Sequence, residues 1–159
     1  MLTPNDLQLF MDEHHVSGEI LFLETPTLTV VAAAQAVNTH PDQIIKSVLF
    51  TINTEAVLAI AGGTNPIEQR VIAALYGVGR KRVKLAPPDV VLEITGYPIG
   101  AVPPFGHPQT INTLIDPRVL EHEEVFGGGG AHNALLRLDP ENVLRITQAQ
   151  VIDLLTRPQ

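Results

Sequence analysis

Apolar side chains cluster in short segments of this chain, and the spacing within each segment predicts its secondary structure. The segment 44–52, Ile-Ile-Lys-Ser-Val-Leu-Phe-Thr-Ile, is rich in β-branched and aromatic residues and predicts a strand. A second strand is predicted over 56–61, before Gly62 and Gly63. The short Asn53-Thr54-Glu55 turn between the two strands predicts an antiparallel hairpin.

Lys46 is the one charged residue in the first of these strands. Because side chains alternate between the two faces of a strand, Lys46 shares the more apolar face with Val48 and Phe50. An ammonium group on a buried face needs water, a carboxylate or an anionic ligand. The alternative is that Lys46 lies near the start of the strand and extends its head group into solvent.

The other segments predict a mixture of helices and strands. A first helix begins after Thr3, with Pro4 in its first turn and Asp6 completing a capping box. Further helices are predicted over 30–37, 67–76, 88–95 and 147–155, and further strands over 18–23, 82–85, 110–115, 119–126, 134–138 and 143–146. We therefore predict one α+β domain over residues 1–159, with a mainly antiparallel, strongly curved or barrel-like sheet and helices packed against it.

Composition and charge narrow the function classes. With 159 residues, 45% hydrophobic and 17% charged, the chain is expected to form one globular domain. Zero cysteines exclude disulfides, thiol catalysis and cysteine metal sites. No apolar run reaches membrane-spanning length and the N-terminus lacks the form of a signal peptide, so we expect a soluble cytoplasmic protein without a membrane partner.

The net charge of −7 argues against broad, non-specific binding to nucleic acid. Four of the ten basic residues nevertheless lie within one five-residue run: Arg80, Lys81, Arg82 and Lys84. Such a run is either a solvated turn or a local contact with a phosphate backbone.

Several catalytic classes lack their motifs. Neither Ser17 nor Ser47 lies in a Gly-x-Ser-x-Gly elbow, and there is no His-Glu-x-x-His pair, phosphate-binding loop or dinucleotide fingerprint. The remaining possibility is a site formed by backbone groups, for which the candidates are the proline- and glycine-rich loop 96–108 and the four glycines Gly127–Gly130. Each is a turn or bulge, or a place where N–H groups approach a ligand closely. Together with Lys46, these loops predict an anion-binding pocket whose backbone N–H groups donate hydrogen bonds to an oxyanion.

These pieces, in this order, resemble the YbaK/prolyl-tRNA-synthetase-associated family of trans-editing aminoacyl-tRNA deacylases. The resemblance rests on an alanine-rich helix at 30–37 before Ile45-Lys46-Ser47-Val48-Leu49-Phe50, and on the Gly-x-x-x-Pro segment Gly100–Pro104 with Pro-Phe-Gly after it. Ile115-Asp116, then Gly127–Gly130, then the segment 136–144 complete it. The matching pieces cover about residues 28 to 146.

The resemblance implies that the chain hydrolyses a wrongly attached amino acid, commonly alanine or cysteine, from the acceptor end of proline tRNA. It implies no metal, no cofactor and no covalent nucleophile, with water attacking while the substrate's ribose hydroxyl and backbone N–H groups assist. A synthetase partner is also implied. The carried-over catalytic residues are Lys46, Gly100, Gly129 and Gly130, and those for substrate binding are Ser47, Val48, Pro104, Phe105, Asp116, Gly128 and His132.

Two rival hypotheses stay open at this point. The chain could be a non-catalytic module on the same fold that binds tRNA, a nucleotide or a synthetase, or it could hydrolyse another small ester or thioester. His132, in the Ala131-His132-Asn133 segment after the glycines, is either a substrate contact or a solvent-exposed loop residue.

Overall fold

A computed structural model describes residues 1–155, so the last four residues of the predicted domain lie outside the described part. Five α-helices are present in these residues: α1 Pro4–Glu13, α2 Val30–Ala36, α3 Gln69–Tyr76, α4 Pro88–Thr95 and α5 Pro140–Thr147. Eight strands accompany them: β1 Gly18–Phe22, β2 Ile45–Ile52, β3 Glu55–Gly62, β4 Val83–Leu85, β5 Asn112–Ile115, β6 Val125–Gly128, β7 Ala134–Leu138 and β8 Gln150–Val151.

The strands form two sheets. The larger has the order β4-β2-β3-β5-β8, antiparallel from β4 to β3 and parallel from β3 to β8. The smaller has the antiparallel order β1-β7-β6. A single parallel bridge between Ile44 and Phe126 connects them. The predicted α+β class is confirmed, although the curved sheet is divided in two and does not close into a barrel.

The β2–β3 hairpin is the centre of the fold, and both of its faces are buried. Leu49 and Leu58 pack in the main core with α1 and the smaller sheet, while Phe50 packs under α3 against Ile72. The hairpin turn forms as predicted, with Asn53 in the left-handed region at φ 57°. The sequence predicted a core against the more apolar face of β2, which carries Lys46, Val48 and Phe50. The structure also buries Ile45 and Leu49 on the other face.

Helix α2 closes one side of the smaller sheet. Thr29 caps it as its Oγ1 accepts a hydrogen bond from the Ala32 N–H at 3.0 Å. Ala33 and Ala34 then pack against Phe126 and Leu135. The small alanine side chains let the helix lie close to β6 and β7, so that α2 forms one wall of a cleft between the two sheets.

The C-terminal prediction was wrong. The segment predicted as a strand over 143–146 belongs to α5, because Asp139 caps the helix by accepting from the Glu141 N–H at 2.9 Å and Pro140 fits the first turn. The helix predicted over 147–155 is instead an extended segment containing β8, since Gln148 takes the left-handed conformation and ends α5.

Two further segments differ from their predictions. The strand predicted over 119–126 begins only at Val125, because Asp116 caps a 3₁₀ helix at Pro117–Glu121. The four glycines are not one loop: Gly127 and Gly128 belong to β6 and pair with Leu136 and Leu135. The loop 96–108, in contrast, has no helix or strand, as its prolines and glycines predicted.

Candidate active site

A cleft of about 380 Å³ lies between the two sheets, on the exposed edge of β2. Its walls come from β2, β6, α2, α4 and the loop 96–108. The lining is largely aliphatic, and Lys46 is the one charged residue among the described residues that line it. Residues around the cleft are Thr27–Val30, Ala33, Ile44–Leu49, Leu85, Ala86, Val91, Ile99, Gly100, Val102, Gly127, Gly128 and Leu135.

The edge of β2 is open in this cleft because β4 covers only its other half. Strand β4 pairs with Phe50–Ile52, and the Ala86 N–H then donates to Leu49 O at 3.0 Å. On the opposite side the Gly63 N–H donates to Ile44 O at 3.0 Å. Because bonding directions alternate along an antiparallel strand, the N–H and C=O of Ser47 point away from β3 and toward the cleft.

Lys46 reaches the opposite face of β2 from Ser47. Its Nζ donates to Asn65 O at 2.7 Å and to Gly63 O at 3.4 Å, and no carboxylate pairs with it among the described residues. Partial burial lowers the pKa of Lys46 below its usual value, because the charged form loses hydration. An ammonium has three N–H donors, so one is left for an anionic ligand in the cleft.

Gly128 lines the cleft and is packed tightly against the loop 96–108. A Cβ atom at this position would overlap the carbonyl oxygen of Val102, so only glycine allows the loop 96–108 to lie against β6. The Gly129 N–H donates to Ala134 O at 3.1 Å, so Gly129 and Ala134 form a hydrogen-bonded pair of the β6–β7 ladder. Gly128 and Leu135, the next pair, are then a non-hydrogen-bonded pair. The Gly128 N–H therefore points away from β7, toward the side that lines the cleft.

Gly129 and Gly130 do not offer the N–H donors that the resemblance assigned to them. The Gly129 N–H is taken by Ala134 O, and the Gly130 N–H donates to Ala101 O at 3.0 Å. Neither residue lines the cleft. Their role in this structure is to turn the chain between β6 and β7 and to hold the loop 96–108 in place, with Gly130 at φ 95°.

Gly100 lies at the rim of the cleft, exposed and at φ 85°. Within residues 1–155 its N–H donates to no other group, whereas the next N–H, of Ala101, donates to Pro98 O at 3.0 Å. His132 packs beside Gly100, and its Nε2–H donates to Ile99 O at 2.9 Å. His132 is exposed and does not line the cleft, so the structure places it as a support for the Gly100 turn.

Three other residues assigned to substrate binding lie outside the cleft. Phe105 is 2% exposed and stacks on Phe10 with ring centroids 5.5 Å apart. Pro104 is buried and lies next to Gly127, where a Cβ atom would be 3.7 Å from its Cδ. Asp116 is fully buried; it accepts from the Leu154 N–H at 2.8 Å and pairs with Arg118 at 2.9 Å, so it holds the C-terminal segment to the core.

The basic run ends next to the cleft, at Lys84. Arg80–Arg82 forms a 3₁₀ turn that leads into β4, and Leu85 at the end of β4 lines the cleft. All four basic side chains are exposed. The Arg82 Nη1 donates to Asn53 Oδ1 at 3.0 Å in the hairpin turn, while Arg80, Lys81 and Lys84 have no ion-pair partner in the described chain.

Sequence reasoning missed much of the apolar wall. Helix α2 was predicted only as a helix, although Val30 and Ala33 form one side of the cleft. Leu28 and Ile99 line the mouth and are 77% and 48% exposed. The available signal in the sequence was an aliphatic residue in an irregular loop, such as Leu28 or Ile99. Outside a helix or strand that packs on the core, such a side chain stays exposed and can form part of a binding surface.

The described residues contain neither a clustered metal site nor a membrane-spanning helix. No group of three or more His, Asp or Glu side chains lies close enough together to hold a metal ion in residues 1–155. Over the same range, no helix has both the length and the apolar character needed to cross a membrane.

Known proteins are similar to this chain in sequence and in fold. A solved structure of a candidate trans-editing enzyme for prolyl tRNA synthetase has a TM-score of 0.88 and 32% identity, covering 99% of this chain and 100% of that one. The multifunctional Ser/Thr-tRNA deacylase ProXp-y of Escherichia coli (strain K12) is 30% identical over 102 residues, which span 56% of this chain and 61% of that protein.

Part of a synthetase is also similar. The proline–tRNA ligase of Desulfotalea psychrophila is 28% identical over 121 residues, which are 76% of this chain but 20% of the ligase. The family model of the aminoacyl-tRNA editing domain matches residues 24–146, a range that includes every residue lining the cleft. The chain is therefore a member of the aminoacyl-tRNA editing domain family.

Proposed function

We propose that the chain is an aminoacyl-tRNA deacylase that acts in trans on mischarged proline tRNA, with alanine or cysteine as the amino acid removed. The observation that carries this proposal is the cleft itself, where one partly desolvated lysine and inward-facing main-chain N–H groups stand in an otherwise aliphatic pocket. Such a pocket binds an anionic, partly apolar ligand and stabilises a developing oxyanion.

The reaction is hydrolysis of an ester. Water adds to the ester carbonyl carbon, the bond from that carbon to the terminal ribose oxygen breaks, and the proton goes to the ribose oxygen. The products are the free amino acid and a tRNA with a free terminal hydroxyl. The neighbouring ribose hydroxyl of the substrate positions the water, and no side chain of the protein forms a covalent intermediate.

Each group of the cleft has a part in this proposal. Lys46 holds the terminal phosphate or sugar of the tRNA with its remaining N–H donor. Gly100 and Gly128 supply N–H groups to the oxyanion, in place of the Gly129 and Gly130 donors that are already bonded. Val48, with Ala33 and Leu135, borders the space for the amino-acid side chain, and the Ser47 hydroxyl lies at its edge.

Specificity follows from the size of this space. An aliphatic pocket separates side chains that differ by one methylene by only about 1–3 kcal/mol, so related amino acids should be removed at graded rates. The relatives support a deacylase linked to prolyl-tRNA synthetase and leave the choice of amino acid to the resemblance: one is described as a candidate trans-editing enzyme for prolyl tRNA synthetase, and another as a multifunctional Ser/Thr-tRNA deacylase.

The test is a panel of tRNA charged on the same proline tRNA with alanine, cysteine, serine or proline, incubated with the wild-type chain. We expect rapid release of one mischarged amino acid, with correct prolyl-tRNA spared. Binding of the charged tRNA without release of any amino acid would overturn the proposal and support the non-catalytic module. Equal activity on small free esters would instead indicate a general esterase.

A further inference from the structure

The open edge of β2 places a peptide unit in the cleft with nothing paired to it. Ser47 is partly exposed, lines the cleft, and directs both its N–H and its C=O away from β3. Strand β4 stops at Leu85, which pairs with Phe50, and β6 bridges this segment only at Ile44, just before β2 begins. In the described part of the chain, β3 is therefore the one strand whose ladder includes Ser47. An unpaired strand edge of this kind is a template for one more strand residue.

An aminoacyl ester has the atoms that such an edge accepts. Its α-ammonium group is a donor and its ester carbonyl is an acceptor, and the two are separated by one α-carbon. This is the arrangement of N–H and C=O within one residue of a neighbouring antiparallel strand, where two residues exchange both hydrogen bonds.

The cleft, as formed by residues 1–155, offers no carboxylate to an α-ammonium group. Its lining contains neither Asp nor Glu, and its one charged residue, Lys46, has the same sign as the substrate's ammonium. The Thr29 hydroxyl already accepts the Ala32 N–H as a helix cap. Lys46 also extends from the face of β2 opposite to Ser47, toward Asn65, so its charge is held away from this position.

We propose that the main chain of Ser47 recognises the free α-amino group of the substrate. The α-ammonium donates to Ser47 C=O and the ester carbonyl accepts from the Ser47 N–H, as in one rung of an antiparallel ladder. This proposal rests on the deacylase function above and adds a requirement to it. The aminoacyl group must carry a free α-amino group, whichever side chain it has.

Substrate analogues test the proposal without changing the protein. The preferred aminoacyl-tRNA is compared with the same tRNA carrying the des-amino acyl group (propionyl in place of alanyl) and with the N-acetylated form. Because an α-ammonium also speeds spontaneous ester hydrolysis, each enzymatic rate is divided by the uncatalysed rate of the same ester. We expect this ratio to fall at least about tenfold for both analogues, a loss of about 1.4 kcal/mol of transition-state stabilisation.

The outcomes separate the two proposals. Equal acceleration of all three esters overturns the recognition of the amino group and leaves the deacylase function intact. No acceleration of any aminoacyl-tRNA, including those on other tRNAs, overturns the deacylase function and this inference with it.

A pair of variants tests the contribution of the peptide N–H. Ser47→Ala removes the hydroxyl alone, whereas Ser47→Pro removes the hydroxyl and the N–H. Proline is compatible with this position because the Ser47 N–H is not used in the β2–β3 ladder. We expect kcat/KM of Ser47→Pro to be at least about tenfold below that of Ser47→Ala, with cooperative thermal unfolding in both.

Equal kcat/KM values in the two variants would contradict the proposal. If Ser47→Pro does not fold, the analogue series decides the question alone, because it uses the wild-type chain.

Discussion

At the scale of single residues, the site depends on glycine at particular positions, Gly128 above all. A Cβ at Gly128 would overlap the backbone of Val102, which cannot move without shifting the loop 96–108. Gly128→Ala should therefore cost about 1–3 kcal/mol of unfolding free energy, as overpacking does, and lower activity with it. Urea unfolding followed by deacylation assays measures both effects.

Gly79→Ala is the matched control for this substitution. A Cβ at Gly79 has nothing within 4 Å, and its φ of −70° suits any residue. We expect its unfolding free energy to lie within about 0.5 kcal/mol of the wild type. Equal stabilities of the two variants would show that β6 and the loop 96–108 are not packed tightly enough to exclude a methyl group.

The same residues show what a sequence can and cannot predict about a site. Lys46 stands out from the sequence alone, because a lone charge within an apolar strand needs a reason. The difference between Gly128 and Gly129 cannot be predicted in this way. The difference depends on which of the two N–H groups is hydrogen-bonded within the β6–β7 ladder. The register of the strands decides this, and the residue type does not. Asp116 was misassigned for a similar reason, since its partner Leu154 is 38 residues away.

At the scale of elements, local signals predicted well where they were strong. The capping box of α1 and the hairpin between β2 and β3 formed as expected. The C-terminal segment failed because Val143 and Ile146 favour a strand by composition, whereas the Asp139 cap and the packing of Val143 in the core select a helix. Tertiary contacts decided between two comparable local preferences.

The loop 96–108 contains a histidine, His107, that should make the stability of the protein depend on pH. His107 is partly buried, and its Nε2–H donates to Pro103 O within the same loop at 2.9 Å. Burial lowers the pKa of His107 below its usual 6.5. The unfolded chain therefore binds a proton at a higher pH than the folded chain does. Stability should fall as the pH drops from above 6.5 through the lowered folded-state pKa.

His107→Gln keeps a donor for Pro103 O without a titrating ring. The wild type should lose more unfolding free energy than His107→Gln between about pH 7.5 and about pH 5, as measured by urea titration at each pH. The other histidines are common to both proteins and cancel in the comparison. Parallel losses in the two proteins would show that His107 does not set the acid sensitivity of this loop.

At the scale of the whole molecule, a chain of net charge −7 must bind a polyanion through a local surface. The exposed run at residues 80–84 leads directly to the cleft through Leu85, and we expect it to contact the acceptor stem. Changing Arg80 and Lys81 to Gln should weaken tRNA binding. It should also reduce the slope of log Kd against log salt by about 0.7–0.9 for each phosphate that the variant no longer neutralises.

The control changes the same amount of charge elsewhere. Arg137 and Arg145 lie on β7 and α5, away from the cleft. Their double replacement by Gln should leave the salt slope unchanged, as measured by fluorescence anisotropy with labelled tRNA. An equal reduction of slope in both double variants would mean that only the total charge matters, and the basic run would have no specific contact.

The structure of the whole molecule indicates that the charge of Lys46 contributes to substrate binding and does not stabilise the fold. Desolvation lowers its folded-state pKa below the unfolded value, so at neutral pH the charged lysine opposes folding, and this effect disappears as the pH rises past both values. Its shorter hydrogen bond is to the carbonyl of Asn65, an exposed residue whose carbonyl water can reach once the ammonium is removed. The longer bond, at 3.4 Å, is to the carbonyl of Gly63, which is buried.

The most direct measurement is therefore single-turnover deacylation of the preferred mischarged proline tRNA by the wild type and by Lys46→Met, which retains the apolar stem. We predict a loss of at least about a hundredfold in rate, because the terminal nucleotide is no longer held in position for attack on the ester, with an unfolding free energy within about 1 kcal/mol of the wild type. A variant that keeps the wild-type rate, or that loses activity only because it unfolds, would contradict this role of Lys46.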